Sequence, residues 1–170
     1  MTTTTPTATG TWTVLVPTRA GFSVRNFGIN VVRGTVAVTA GTLELDPTGR
    51  PVRLSGTLDP SSVDTGNPRR DNDLRGKRFL NVAKYPTMHV VADEFEPAGD
   101  GWRARAVLRV AGAEAPLWID GTLAGRSGDR LAVTGRARLD RIAAGIRVPR
   151  VLVGRWVDLT ISVQLAEAVH

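Results

Sequence analysis

Residues 157–165, Val-Asp-Leu-Thr-Ile-Ser-Val-Gln-Leu, alternate apolar and polar side chains without a break. A period of two puts Val157, Leu159, Ile161, Val163 and Leu165 on one face of a β-strand and the polar residues on the other. A helix cannot sort these side chains that way. The period recurs along the chain. Trp12, Val14 and Val16 alternate with Thr11, Thr13 and Leu15, and Phe22 and Val24 with Ser23 and Arg25. Val52, Leu54, Gly56 and Leu58 face away from Arg53, Ser55, Thr57 and Asp59. Met88, Val90 and Ala92 face away from His89 and Val91. Ala104, Ala106, Leu108 and Val110 oppose Arg103, Arg105 and Arg109. Leu117, Ile119, Gly121 and Leu123 oppose Trp118 and Asp120. Leu131, Val133, Gly135, Ala137 and Leu139 oppose Thr134, Arg136, Arg138 and Asp140.

Between these segments lie turn signals. Residues 18–21, 46–49, 97–101, 111–115 and 125–128 read as turns, and residues 59–62, Asp-Pro-Ser-Ser, as a corner. A long strand is expected over residues 31–45, with bends or bulges at Gly34 and Gly41. About eight or nine strands joined by tight turns predict an antiparallel barrel or sandwich with one wet and one dry face per strand. The dry face carries small residues at Ala104, Ala106, Gly121, Gly135 and Ala137. In a closed barrel of about eight strands these positions either leave room for a ligand or are filled by aromatic side chains from other strands.

At 170 residues the chain is long enough for one domain with a real core. The first ten residues, with neither a basic start nor an apolar run, read as a disordered tail and not as a secretory signal. No stretch reaches the ~18 apolar residues of a membrane-spanning helix. A cytoplasmic location is the expectation.

The net charge is +6, and 20 of the 22 basic residues are Arg. They are scattered at outward positions of strands and not gathered in one run. A solvated basic surface is therefore favoured over a nucleic-acid footprint.

The parts of the common catalytic and metal sites are missing. There is no Cys, and the two histidines are His89 and the terminal His170. A Ser-His-Asp triad, a thiol nucleophile and a His-rich metal site are all excluded. His89 falls on the polar face of its strand. Asp71 and Asp73 could pair for acid–base chemistry, but the start of a short helix favours Asp71 as its cap. The glycines do not form a phosphate-binding loop. No enzyme activity, metal or resident cofactor is expected.

One stretch breaks the β pattern. Residues 64–86 hold both lysines and four arginines, with a few large apolar residues, Leu74, Phe79, Leu80, Val82 and Tyr85. They form either a solvated linker or a cap over one end of a β-structure. The runs Ser62-Val63-Asp64-Thr65-Gly66-Asn67, Arg70-Asp71-Asn72-Asp73-Leu74, Phe79-Leu80-Asn81-Val82 and Lys84-Tyr85-Pro86 resemble, in order, a signature of the YceI-like family. Phe22-Ser23-Val24-Arg25, Val32-Arg33-Gly34, Leu108-Arg109-Val110-Ala111-Gly112 with Pro116-Leu117, and Asp140-Arg141 with Gly145-Ile146 are similar to other elements of that family. The resemblance covers about residues 11–166, with residues 167–170 as a C-terminal tail.

What the resemblance implies is an extended, lipocalin-like, eight-stranded antiparallel barrel with a short helical cap around residues 70–82. It implies a central tunnel for a long apolar ligand: a polyisoprenoid, an isoprenoid quinone or a fatty-acid derivative. It also implies a homodimer. The expected tunnel wall is Phe22, Val24, Leu54, Leu58, Met88, Val90, Leu108 and Val133, with Leu74 and Phe79 at the covered end. Any of these can equally be core. Two other classes stay open: a binder of anionic surfaces or nucleic acid through the Arg-rich exterior, and a ligand-free barrel with an interaction or stress role. The chain departs from the family signature at residues 16–20, Val-Pro-Thr-Arg-Ala, at Asp73 and at Arg109, so head-group contacts do not carry over.

Overall fold

A computed structural model describes residues 10–26, 30–142, 144–145 and 153–168. Most of the expected N-terminal tail, residues 169–170 and the late Gly145-Ile146 element beyond Gly145 lie outside the described residues. The elements follow in the order β1 (Gly10–Val14), β2 (Thr18–Asn26), β3 (Asn30–Leu45), β4 (Pro51–Asp64), α1 (Pro68–Arg75), β5 (Met88–Ala98), β6 (Gly101–Val110), β7 (Ala113–Ser127), β8 (Arg130–Asp140) and β9 (Val153–Glu167).

The strands pair antiparallel in the circular order β3-β2-β9-β8-β7-β6-β5-β4, and β4 returns to β3. Both β1 and β2 lie between β3 and β9. Strand β1 pairs through Trp12↔Leu43 and Val14↔Leu165, and β2 through Phe22↔Gly34 and Phe22↔Leu159. They are two halves of one stave, so nine strands close a barrel of eight staves. This is the eight-stranded antiparallel barrel expected above. Closure leaves no strand free along its whole length, although β4 and β5 pair only from Leu54↔Ala92 to Leu58↔Met88.

Several boundaries differ from the sequence reading. Residues 18–21 are not a turn. The chain bends at residues 15–17, where the Val16–Pro17 peptide is cis, and Thr18 already pairs with Val38. The corner at residues 59–62 does not end its strand either. Strand β4 runs on to Asp64, and the excess residues form a bulge between the pairs Ala37↔Asp59 and Thr35↔Asp64. The bulge satisfies its own polar groups: Ser61 N donates to Asp59 Oδ1, and Ser62 Oγ accepts from Ala37 N at 2.7 Å in place of a ladder bond. The later turns are tighter than expected. Pro97 and Ala98 stay in β5, Ala113 opens β7, and β7 continues to Ser127. Ala111 and Gly112, both at positive φ, make the β6–β7 connection.

The two ends of the barrel are unlike. One carries short connections: residues 46–50, Gly99–Asp100 and Gly128–Asp129. In the first, Asp46 accepts from Thr48 N, Thr48 Oγ1 and Arg50 N. The Thr48 hydroxyl, then the Arg50 amide, hold that carboxyl below its ordinary value. The other end carries residues 65–87, which pass from β4 over the barrel to β5 and include α1. Glycine positions along β3 mark close approach more than bulging. A methyl group on Gly34 would lie 2.5 Å from the Phe22 ring.

Candidate functional site

The interior is built by alternation. Along β6, Trp102, Ala104, Ala106, Leu108 and Val110 are buried, and every residue between them is exposed. The half nearest the short turns is filled. Trp12, Leu43, Leu45, Trp102, Leu131 and Leu165 pack there, all 6% exposed or less. Gly121 has no side chain because Trp102 takes its place: an added methyl would sit 2.2 Å from the indole ring. Phe95 meets that indole edge-on, with centroids 5.2 Å apart and planes at 65°. At this level the small residues of the dry face are covered by an aromatic ring from the neighbouring strand.

Other inward side chains are only half-buried. One register row runs Phe22, Leu159, Ala137, Ile119, Ala104, Phe95 across β2, β9, β8, β7, β6 and β5. All but Ala104 are half-buried, and all pack on the core. Val24 pairs with Val157 beside this row, and Leu54, Leu58 and Val90 line β4 and β5; these too are half-buried. Their sequence neighbours Arg25, Asp158, Arg136, Arg138, Trp118 and Asp120 are exposed and occupy the outer face.

Of the ten wall residues expected from sequence, Phe22, Val24, Leu54, Leu58 and Val90 are in this half-buried set. Met88, Leu108 and Val133 point inward but lie in the packed core, 6–9% exposed. Leu74 of α1 packs on the core from the cap. Phe79 is half-buried, and Leu80 is the second cap residue packed on the core cluster. Sequence reasoning omitted Ile119, Ala137, Val157, Leu159, Ile161 and Phe95. The strict alternation could have supplied the first five. Phe95 is displaced from the Met88-Val90-Ala92 phase by a bulge between Ala92 and Glu94, and nothing local signals it.

The segment over residues 64–86 is anchored and is no loose linker. The cap of α1 is Asn67, whose Oδ1 accepts from Arg70 N at 3.1 Å; it is not Asp71, as expected from sequence. Asp71 turns inward instead, 6% exposed, and accepts from Thr65 N and Thr65 Oγ1. Arg70 Nε donates to the same hydroxyl at 2.8 Å. Beyond the helix the chain folds on itself through Leu80 N to Leu74 O, Val82 N to Arg75 O and Tyr85 N to Asn81 O. Asp73, where the sequence departs from the family signature, is exposed.

Most charge stays outside, but Asp71 and Arg141 are buried, 6% and 2% exposed. Arg138–Asp158 at 3.0 Å, Arg109–Glu114 at 2.9 Å and Arg103–Asp120 at 3.7 Å interleave the two signs across the outer faces. His89 is exposed and near the hydroxyls of Thr57 and Thr87. It lies in a cleft of about 460 Å³ shared with Tyr85, Arg109, Val110 and Glu114. Among the described residues no three His, Cys, Asp or Glu side chains gather where a metal could bind. No described helix is long and apolar enough to cross a membrane. The inward side chains of the strands are apolar.

Known proteins with this arrangement exist. The family model described as a YceI-like domain matches residues 12–165. The UPF0312 protein of Yersinia pestis (strain Pestoides F) is 29% identical over 109 residues, which is 64% of this chain and 57% of the relative's length. The chain thus spans little more than half of the curated relatives it matches. The crystal structure of Burkholderia cenocepacia BcnA superposes with a TM-score of 0.74 at 16% identity, covering 86% of this chain and 95% of that one. A polyisoprenoid-binding domain from Saccharophagus degradans, implicated in plant cell wall breakdown, gives 0.66 at 12% identity, covering 92% and 98%.

Proposed function

The chain belongs to the YceI-like family, and on that premise we propose that it binds a long apolar molecule inside the barrel, for carriage, storage or sequestration. The ligand class is a polyisoprenoid, an isoprenoid quinone or a fatty-acid derivative. The observation that carries this reading is the row of inward apolar residues Phe22, Leu159, Ala137, Ile119 and Phe95, left half-buried inside a closed barrel. The Saccharophagus domain of the same fold, named for polyisoprenoid binding, supports it. The wall is Phe22, Val24, Leu54, Leu58, Val90, Ile119, Ala137, Val157 and Leu159, closed over by Leu74 and Leu80.

Binding of this kind needs no catalytic group. Burial is worth about 0.8 kcal/mol per CH₂, so a ten-carbon segment supplies roughly 8 kcal/mol before the cost of association. Micromolar affinity corresponds to about −8 kcal/mol, and a prenyl tail is long enough to reach it after that cost. A homodimer is part of the same proposal and is read directly by sedimentation equilibrium.

Organic extraction of the purified protein, followed by mass spectrometry, identifies what is carried; a lipid-free extract and no uptake of a fluorescent farnesyl analogue would sink the reading. Ala137→Trp places an indole across the inward row. It should weaken farnesyl binding about tenfold or more while the far-ultraviolet circular dichroism stays that of a β-barrel.

A further inference from the structure

The indole of Trp102 is 6% exposed, and its Nε1–H has no acceptor among the described residues. A buried N–H donor without a partner is costly and uncommon, because it has given up water for nothing. Among Trp residues the polar tip usually finds a partner when buried. The position of this one is informative. Trp102 is the inward residue of β6 that lies flat over Gly121 of β7. It borders the half-buried row at Phe95 and Ala104, and the row Ile161, Gly135, Gly121 leads to it from β9. It thus lies at the short-turn end of the interior, where the half-buried row ends at Phe95.

We propose that Trp102 Nε1–H is the polar anchor of the interior and donates to a neutral carbonyl oxygen on the ligand, which enters with that end toward the short-turn end of the barrel and its tail toward α1. This rests on the apolar-ligand reading above and narrows it. The groups shown against the indole are Phe95 and Gly121, both apolar. A phosphate there would be a buried charge with one neutral donor, which cannot offset its loss of water. A single carbonyl matches a single donor. Nε1 is covered in this structure, and Phe95, half-buried and edge-on to the indole, is the side chain that moves aside for the oxygen.

The test compares two probes on the full chain: a prenylated benzoquinone and the hydrocarbon squalene. Trp102→Phe should weaken the quinone about five- to tenfold and leave squalene within twofold. In the wild-type chain, the one-bond ¹H–¹⁵N signal of the Trp102 indole should move downfield with the quinone and not with squalene. Equal weakening of both probes, or an indole signal indifferent to the quinone, overturns the anchor while leaving apolar-ligand binding in place. No uptake of either probe by the wild-type chain overturns both. If Trp102→Phe fails to fold, the indole signals decide alone. Trp118 and Trp156 are exposed and are recognised by fast exchange with solvent, and the buried Trp12 signal is identified by its loss in Trp12→Phe, so the quinone must shift the remaining slowly exchanging signal.

Discussion

At Gly121 the absence of one methyl group decides how the barrel is filled. The indole of Trp102 occupies the space that a side chain would take. Gly121→Ala should therefore cost about 1–3 kcal/mol in urea unfolding, as the ring is driven off its seat. The displaced ring also moves toward the accessible row, so farnesyl uptake should fall with stability. Alternation showed that Gly121 and Gly135 face inward, but it could not show what lies over them. A period of two reports the face of a residue, not which ring crosses from the next strand. His89 and Trp118, by contrast, were legible as outward residues, because outward placement needs only the local period.

The cap is an element whose presence was readable and whose fastening was not. Its break in the period, its charges and its few large apolar residues marked it off. Asn67 then took the capping role expected of Asp71, because both residue types satisfy helix starts and only the surroundings choose. Asp71 was claimed by the amide and hydroxyl of Thr65. Bulges hid more. The excess residues at 59–63 and the shift between Ala92 and Glu94 are recorded in pairing with other strands and leave no local mark. Leu74→Ala combined with Leu80→Ala removes the two cap residues that pack on the core. We expect a loss of about 1–2 kcal/mol per site, since both are half-buried, and a several-fold faster release of a farnesyl probe in stopped-flow fluorescence.

For the whole molecule, a net charge of +6 is compatible with an anionic partner, but its distribution is not that of a patch. Arg103, Arg109 and Arg138 each face an acid on the neighbouring strand. Such exposed pairs add little stability, and they break up a continuous positive field. Farnesyl affinity should change by less than about twofold between 50 and 500 mM salt, as expected for burial without ion exchange. A steep decline, measured by equilibrium titration, would return the anionic-surface reading to the front.

The shared stave of β1 and β2 has a consequence during synthesis. Its partner on one side is β9, the last of the described strands to leave the ribosome; Phe22 meets Leu159 across 137 positions of chain. At about 5–20 residues per second, β2 waits seconds with one edge unpaired. Until β9 arrives there is an open sheet with no inside, its apolar face turned to whatever surrounds the nascent chain. On the proposed function, a cargo is enclosed only once β9 has joined, so loading follows closure of the barrel.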